Sequence, residues 1–312
     1  MFKKIFLSGI VLVSLSVLSR ADINSNAGTT SYSFLRVGPL ARIQAMGGAY
    51  TGLADDAGSL FYNPGGLAKI QAKTYILSYS NYLTDIQSGF VGLIYPLKNN
   101  RTIGFSLNYF NWGDMVQTDS FNNELGTFTP SDMAFAISAA TLVNPNFDAG
   151  ATLKIIFEKI SDYSTSALAV DLGGIYTAAD GRTKFGATIL NLGKQMKSVN
   201  SEKEGLPTVY KLGFSHHLKE LPLVVAVDLN KPRDNDFYVD VGGEFIQFKN
   251  LLLRMGWSSN SGDIKDVSDG GSLAGFGFGF GLLWRNYKID YSYSSFADLG
   301  SVHRITLAGS IK

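Results

Sequence analysis

The chain has 312 residues, 45% hydrophobic, 17% charged and 12% aromatic, with 34 Gly, no Cys and a formal net charge of +1. So apolar a composition excludes a disordered chain, and a charge this close to zero excludes a nucleic-acid binder that works by bulk electrostatics. Without cysteine there is no disulfide, thiolate metal site or thiol nucleophile, and the wealth of Gly, Phe and Tyr favours strands over helices.

Lys3 and Lys4 open the chain, residues 5–18 form an apolar run, and Ser19-Arg20-Ala21 places small residues where a signal peptidase reads them. The run is shorter than the ~20 residues that span a bilayer, so 1–21 reads as a signal peptide for export, with Asp22 starting the mature chain. No later apolar stretch approaches ~18 residues, which excludes a helical membrane protein.

Residues 22–72 do not alternate. Asp55 or Asp56 is placed to cap a short helix through Phe61, and Asn63-Pro64-Gly65-Gly66 ends it, because Pro64 restricts Asn63 and the two glycines disfavour any further helical turn. A short capped helix between glycine turns predicts a compact insert.

From residue 73 to 312 the period is two. Ile103, Phe105, Leu107 and Tyr109 alternate with Thr102, Gly104, Ser106 and Asn108, and the pattern recurs down the chain. Strands are expected at 74–80, 86–96, 101–110, 132–143, 147–158, 166–177, 182–191, 208–218, 221–230, 237–248, 251–259, 272–284, 286–294 and 302–311. Short turns such as 97–100, 144–146, 179–181, 219–220 and 285–286 are expected in strict alternation with longer polar loops such as 111–131, 192–207 and 260–271. Short turns at one end and loops at the other are the build of an outer-membrane barrel. A soluble β-sandwich also alternates in hydropathy, but does not require its loop lengths to alternate. The expected fold is all-β: a transmembrane antiparallel β-barrel of about fourteen strands with residues 22–72 as a lumen hatch.

On the lumen side of these strands fall Lys154, Lys184, Lys211, Arg254, Lys288 and Arg304, with Glu158, Asp171, Asp228, Asp240, Glu244 and Asp290. A balanced set can pair across neighbouring strands and brace a plugged interior, whereas an ion-selective pore would show a ring of one sign. The expected charge network comprises Lys154, Asp171, Lys211, Asp228, Asp240, Glu244, Arg254, Lys288 and Asp290; that these are solvated groups without partners stays open. The run Gly275-Phe276-Gly277-Phe278-Gly279-Phe280-Gly281 is no phosphate loop, since its period is two and no helix comes after it. It turns Phe276, Phe278 and Phe280 to lipid and bare backbone to the lumen, where the hatch is expected to pack. Phe61, Tyr62, Asn63, Pro64, Gly275, Gly277 and Gly279 are therefore the candidate ligand and hatch residues.

Enzyme chemistry finds no support. His216 and His217 point to opposite faces of a strand, His303 stands at a strand end, and the acidic stretch 263–269 lacks calcium-loop spacing. No catalytic residue, metal ligand or cofactor is expected.

The run from Ala41 to Ala68, with its Ala-Arg-x-x-Ala-Met-Gly-Gly-Ala core, Ala-Asp-Asp-Ala and Asn-Pro-Gly-Gly-Leu, resembles the N-terminal signature of the PorV/PorQ family of FadL-like outer-membrane barrels. The resemblance implies a barrel with a lumen hatch in the outer membrane of a Gram-negative-type bacterium. PorV-type members serve type IX secretion and hold exported cargo at the cell surface. FadL-type members pass long-chain fatty acids and other hydrophobic molecules, which is the alternative. The implied partners are outer-membrane lipid and either secretion components with exported cargo or hydrophobic small molecules, and no nucleic acid. The sequence departs from both types in its modest loops and in ending Ile311-Lys312 rather than in an aromatic residue.

Overall fold

The structure is a computed structural model that describes residues 24–199, 203–261 and 273–311. The expected signal peptide and the stretch 263–269 lie outside the described residues.

Sixteen strands form among the described residues: β1 (Lys73–Asn81), β2 (Gln87–Pro96), β3 (Arg101–Asn111), β4 (Met115–Thr118), β5 (Glu124–Phe128), β6 (Ser131–Asn144), β7 (Phe147–Ile160), β8 (Tyr163–Thr177), β9 (Thr183–Lys197), β10 (Val209–His217), β11 (Leu223–Pro232), β12 (Tyr238–Phe245), β13 (Leu251–Ser258), β14 (Phe276–Trp284), β15 (Tyr287–Ser295) and β16 (Ser301–Ile311). Fourteen of them close into an antiparallel barrel, β1 pairing with β16 from Lys73 opposite Ile311 to Asn81 opposite His303. Closure leaves no unpaired edge in the wall, the condition for a sheet to lie in hydrocarbon.

Alternation decides which side each residue meets. Phe105, Leu153, Ile155, Leu172, Leu212 and Ile305 stand exposed on the outer face, while Asn108, Thr152, Asp171, Asp228 and Arg304 are buried inside. Residues before β1 fill the lumen through two short helices, α1 (Ala41–Ala45) and α2 (Ser59–Tyr62), and 3-10 turns at Ser33–Arg36 and Pro64–Lys69. Their apolar side chains make the core: Leu40, Ile43, Met46, Tyr50, Leu53, Leu60 and Leu67 pack with Ile76, Phe90 and Val224 of the wall.

Four expectations need correction. Loop lengths do not alternate strictly, because β7 and β8 are joined at the loop end by only Ser161 and Asp162, with Ser161 in the left-handed region at φ 51°. The segment 111–131 is not plain loop, since β4 and β5 pair there as a separate two-stranded ribbon. β9 runs six residues past its expected end. Val170 pairs with Leu192 but Leu172 with Ile189, so Asp171 faces one extra residue, and Asn191 sits at φ 58°. That bulge turns both Leu190 and Asn191 inward and resets the alternation, which hides the strand's continuation from a period-two reading. Finally, α2 is shorter than expected. It begins only at Ser59 after Gly58, which offers no side-chain cap, and the Asp56 Oδ1 accepts from the Gly58 N–H at 2.8 Å in the turn just ahead of it. Asn63 does end it, but a 3-10 turn comes next, with the Asn63 Oδ1 accepting from the Gly65 N–H at 3.1 Å.

Candidate functional site

The hatch is held by an ion-pair network centred on Arg42, a buried residue of α1. Its Nε and Nη2 donate to both oxygens of Glu244 at 3.0 and 2.8 Å, and its Nη1 reaches Asp55 and Asp56 at 2.6 and 2.8 Å. Glu244 also accepts from Arg254, directly opposite it across β12 and β13. Arg254 in turn donates to Asp290 at 2.7 Å, and Lys288 donates to Asp56 at 2.7 Å. Arg254 and Asp290 stand on strands separated by β14, and Gly281 between them leaves the room: a Cβ there would meet Asp290 Oδ1 at 2.5 Å and Arg254 Nη2 at 2.8 Å.

Burial opposes the charge on Asp56, yet Lys288 and Arg42 outweigh it and hold its carboxyl well below the ordinary range. Burial likewise works against the Arg42 guanidinium, and Asp55, Glu244 and Asp56 outweigh it and keep the charge in place. For Tyr62, burial pushes the phenol up to about 12.

Further contacts secure the hatch elsewhere. The Asp228 carboxylate accepts the backbone N–H groups of Tyr50 and Thr51 at 3.0 and 2.9 Å and the Thr51 hydroxyl at 2.6 Å, with Lys211 at 3.6 Å. Lys154 pairs with Asp171 at 2.6 Å and donates to the Asn191 side chain at 2.8 Å, which braces the β9 bulge. Lys69 meets Asp148 at 2.9 Å, and Lys184 donates to the Leu53 carbonyl at 3.3 Å. Asp240 makes no such pair among the described residues; it accepts from Ser258 and Asn230 at 2.6 and 2.9 Å. The charges therefore pair both from strand to strand, as Lys154 with Asp171, Lys211 with Asp228 and Arg254 with Glu244 and Asp290, and through the hatch, as Glu244 with Arg42 and Lys288 with Asp56.

The candidate ligand and hatch residues divide between two walls. A Cβ on Gly277 would collide with the Gln44 carbonyl, and one on Gly279 would meet Ala45 Cβ at 2.6 Å, so bare β14 backbone is seated on α1. Gly275, at φ +82°, makes the turn into β14. Asn63 and Pro64 lie against β7 and β8 instead, where Pro64 presses on Gly150 and Asn63 donates to the carbonyls of Thr51 and Gly174 at 2.8 and 3.3 Å. Phe61 stacks edge-on against Phe90, with ring centroids 5.8 Å apart.

Of that set Tyr62, Gly275 and Gly277 border a hollow. At the loop end a hollow of about 440 Å³ lies between hatch and wall, bordered by Arg36, Tyr62, Tyr82, Lys211, Tyr238, Asp240, Ser294 and Arg304 among others. Sequence reasoning misses Arg42, Asp55 and Asp56 as ion-pair formers, although three charged residues in an otherwise apolar run are a signal that could find them. A larger hollow of about 850 Å³ is apolar but belongs to the outer wall, around Phe147, Leu172, Tyr176, Phe185 and Leu212.

A model of the family described as type IX secretion system protein PorV matches residues 20–231. No curated protein matches the chain. Among solved structures it is similar to the CymD monoaromatic hydrocarbon channel, at TM-score 0.60 and 13% identity over 88% of this chain and 98% of that one. It is similar also to the toluene transporter TodX of Pseudomonas putida, at 0.59 and 13% over 85% and 95%. A FadL homologue of Pseudomonas aeruginosa matches at 0.56 and 13% over 88% and 98%. At such identities the likeness is one of fold, a barrel of the outer membrane.

Proposed function

Because this chain belongs to the PorV family of type IX secretion system proteins, we propose that it is a non-enzymatic outer-membrane barrel that works in a type IX-like secretion route, in the secretion of exported cargo or its attachment at the cell surface. The observation that carries the reading, beside the family, is the filled lumen. Arg42 ties the hatch at once to Glu244 of β12 and, through Asp56, to Lys288 of β15, so the interior is braced rather than open for passage. A barrel closed in this way offers its loop end as a surface. We divide the chain into a signal peptide at 1–21, a hatch at 22–72 and a barrel at 73–312, and assign the residues of the hatch and wall contacts a seating role.

Affinity purification of the tagged protein from its own membranes tests this. Exported proteins that share a C-terminal sorting domain, or other secretion components, are expected to come with it. An exported protein population unchanged after deletion of the gene would count against the reading.

The second reading, a conduit for hydrophobic molecules, is favoured by the likeness in fold to hydrocarbon channels. The hollow between hatch and wall speaks against it, being bordered by Arg36, Lys211, Asp240 and Arg304. The apolar hollow faces lipid. Growth of the deletion strain on long-chain fatty acids, compared with its parent, decides: unchanged growth removes this alternative.

A further inference from the structure

We propose that the hollow at the loop end is a binding site for a hydrophilic carboxylate carrying N–H donors, of the kind presented by an N-acylated amino acid or a peptide's C-terminal end, with Arg304 as the group that takes the carboxylate. This goes beyond the secretion reading and does not depend on it.

Arg304 is 1% exposed, and its Nε donates to the Gly38 carbonyl at 2.9 Å and its Nη1 to the Ser294 hydroxyl at 3.1 Å. Neither partner is charged, and no carboxylate among the described residues lies within ion-pair distance of it. Buried cations are as a rule paired, because an isolated one forfeits its hydration without return. Here the other cations bordering the hollow are paired within the protein: Arg36 with Asp234 at 2.7 Å and Lys211 with Asp228 at 3.6 Å. Arg304 alone among the three is left to an outside anion, and a guanidinium matches a carboxylate with two parallel hydrogen bonds.

The rest of the lining says what the anion is attached to. Ser33, Gln44, Asn235, Asp240 and Ser294 present polar groups, with the Tyr62 and Tyr238 rings between them. Asp240 has no ion pair among the described residues and keeps acceptor capacity beyond its bonds from Ser258 and Asn230, which suits the N–H of an amide or amine. A long alkyl tail would find few apolar walls and would leave these groups dry and unpaired. The size, about 440 Å³, falls in the range of small-molecule sites.

Isothermal titration of the purified full-length mature protein in detergent provides the test. The probes are N-acetylserine, the tripeptide N-acetyl-Gly-Ser-Gly, the amidated form of each, and dodecanoate. Both free acids, or the tripeptide alone, are expected to bind, with amidation weakening affinity about tenfold or more, since a charge-assisted bidentate contact is lost. Tighter binding of the tripeptide identifies a chain end as the source, and equal or tighter binding of the amino acid a free acid. Arg304→Gln is expected to abolish the contrast between acid and amide, and Arg304→Lys to retain part of it. Should Arg304→Gln loosen the hatch through Gly38, the contrast on the unaltered protein decides by itself. Equal affinity for acid and amide, absence of binding by both acids, or preference for dodecanoate overturns the proposal.

Discussion

Arg42 joins four carboxylate oxygens while shielded from water, so its removal takes the ion-pair partner from Asp55 and leaves Glu244 to Arg254 and Asp56 to Lys288 alone. Arg42→Met is expected to cost about 3–5 kcal/mol, the usual penalty for breaking a buried pair from one side. Thermal unfolding in detergent, read by tryptophan fluorescence, measures it. Protons probe the same network without mutation. Lys288 and Arg42 hold Asp56 well below its ordinary range against the effect of burial. A carboxyl depressed in the folded state stabilises above its unfolded pKa, and that contribution is lost as pH falls through the folded value. The hatch is therefore expected to stay seated at about pH 5, above an ordinary aspartate's pKa near 3.9, and to loosen only in strong acid. Oxidative footprinting of Tyr50 across pH tracks the release; labelling already near neutrality would contradict it. Glycine supplies a third test at this scale. Gly277→Val drives a side chain into the Gln44 carbonyl, whereas Gly89→Ala meets nothing nearer than 3.9 Å. The first is expected to cost about 1–3 kcal/mol or to unseat α1, and the second to be tolerated, as melting temperatures of the two would show.

Among the elements, β9 carries a test of its bulge. Asn191 occupies the left-handed region at φ 58°, which Asn and Gly adopt readily and β-branched residues resist. Asn191→Gly keeps the backbone conformation and loses the side-chain bonds to Lys154 and the Pro207 carbonyl, an expected cost of about 1–3 kcal/mol. Asn191→Val loses the same bonds and adds backbone strain, so it is expected to be the less stable of the two by about 1–3 kcal/mol more. Heat-induced unfolding followed by gel mobility compares them. The same residue marks the limit of what the sequence discloses. Period two gives away the wall because outer and inner faces meet such different surroundings, as Phe105 beside Asn108 illustrates. A single extra residue at Asn191 breaks the rhythm, and the last turns of β9 read as loop. Within the hatch, helices of four or five residues show no full period, so α1 leaves no sequence signal and α2 is expected too long. The glycine run of β14 foretells its partner correctly because an uncovered backbone needs close contact. Which charge meets which, as Arg42 with Glu244 between hatch and wall or Arg254 with Asp290 across β14, depends on placement and register and leaves no local trace.

At the scale of the molecule, the hatch and wall form one packed body. Pro64 lies on β7, Thr51 on Asp228 of β11, and Ala45 on β14, so the insert touches walls on several sides. The order of the chain through this body has a consequence for assembly. Asn24 stands at the loop end beside Asp236, and the chain then descends the lumen to enter β1 at the turn end, where Lys73 lies against Ile311 of the last strand. The seam between β1 and β16 joins the first strand of the wall to the last. If the ring were sealed beforehand, some fifty residues would have to be pulled lengthwise through a finished tube, a severe loss of chain freedom. Closing the wall around the insert avoids that difficulty, so the seam is expected to be the last stitch, sewn only once the contents are inside.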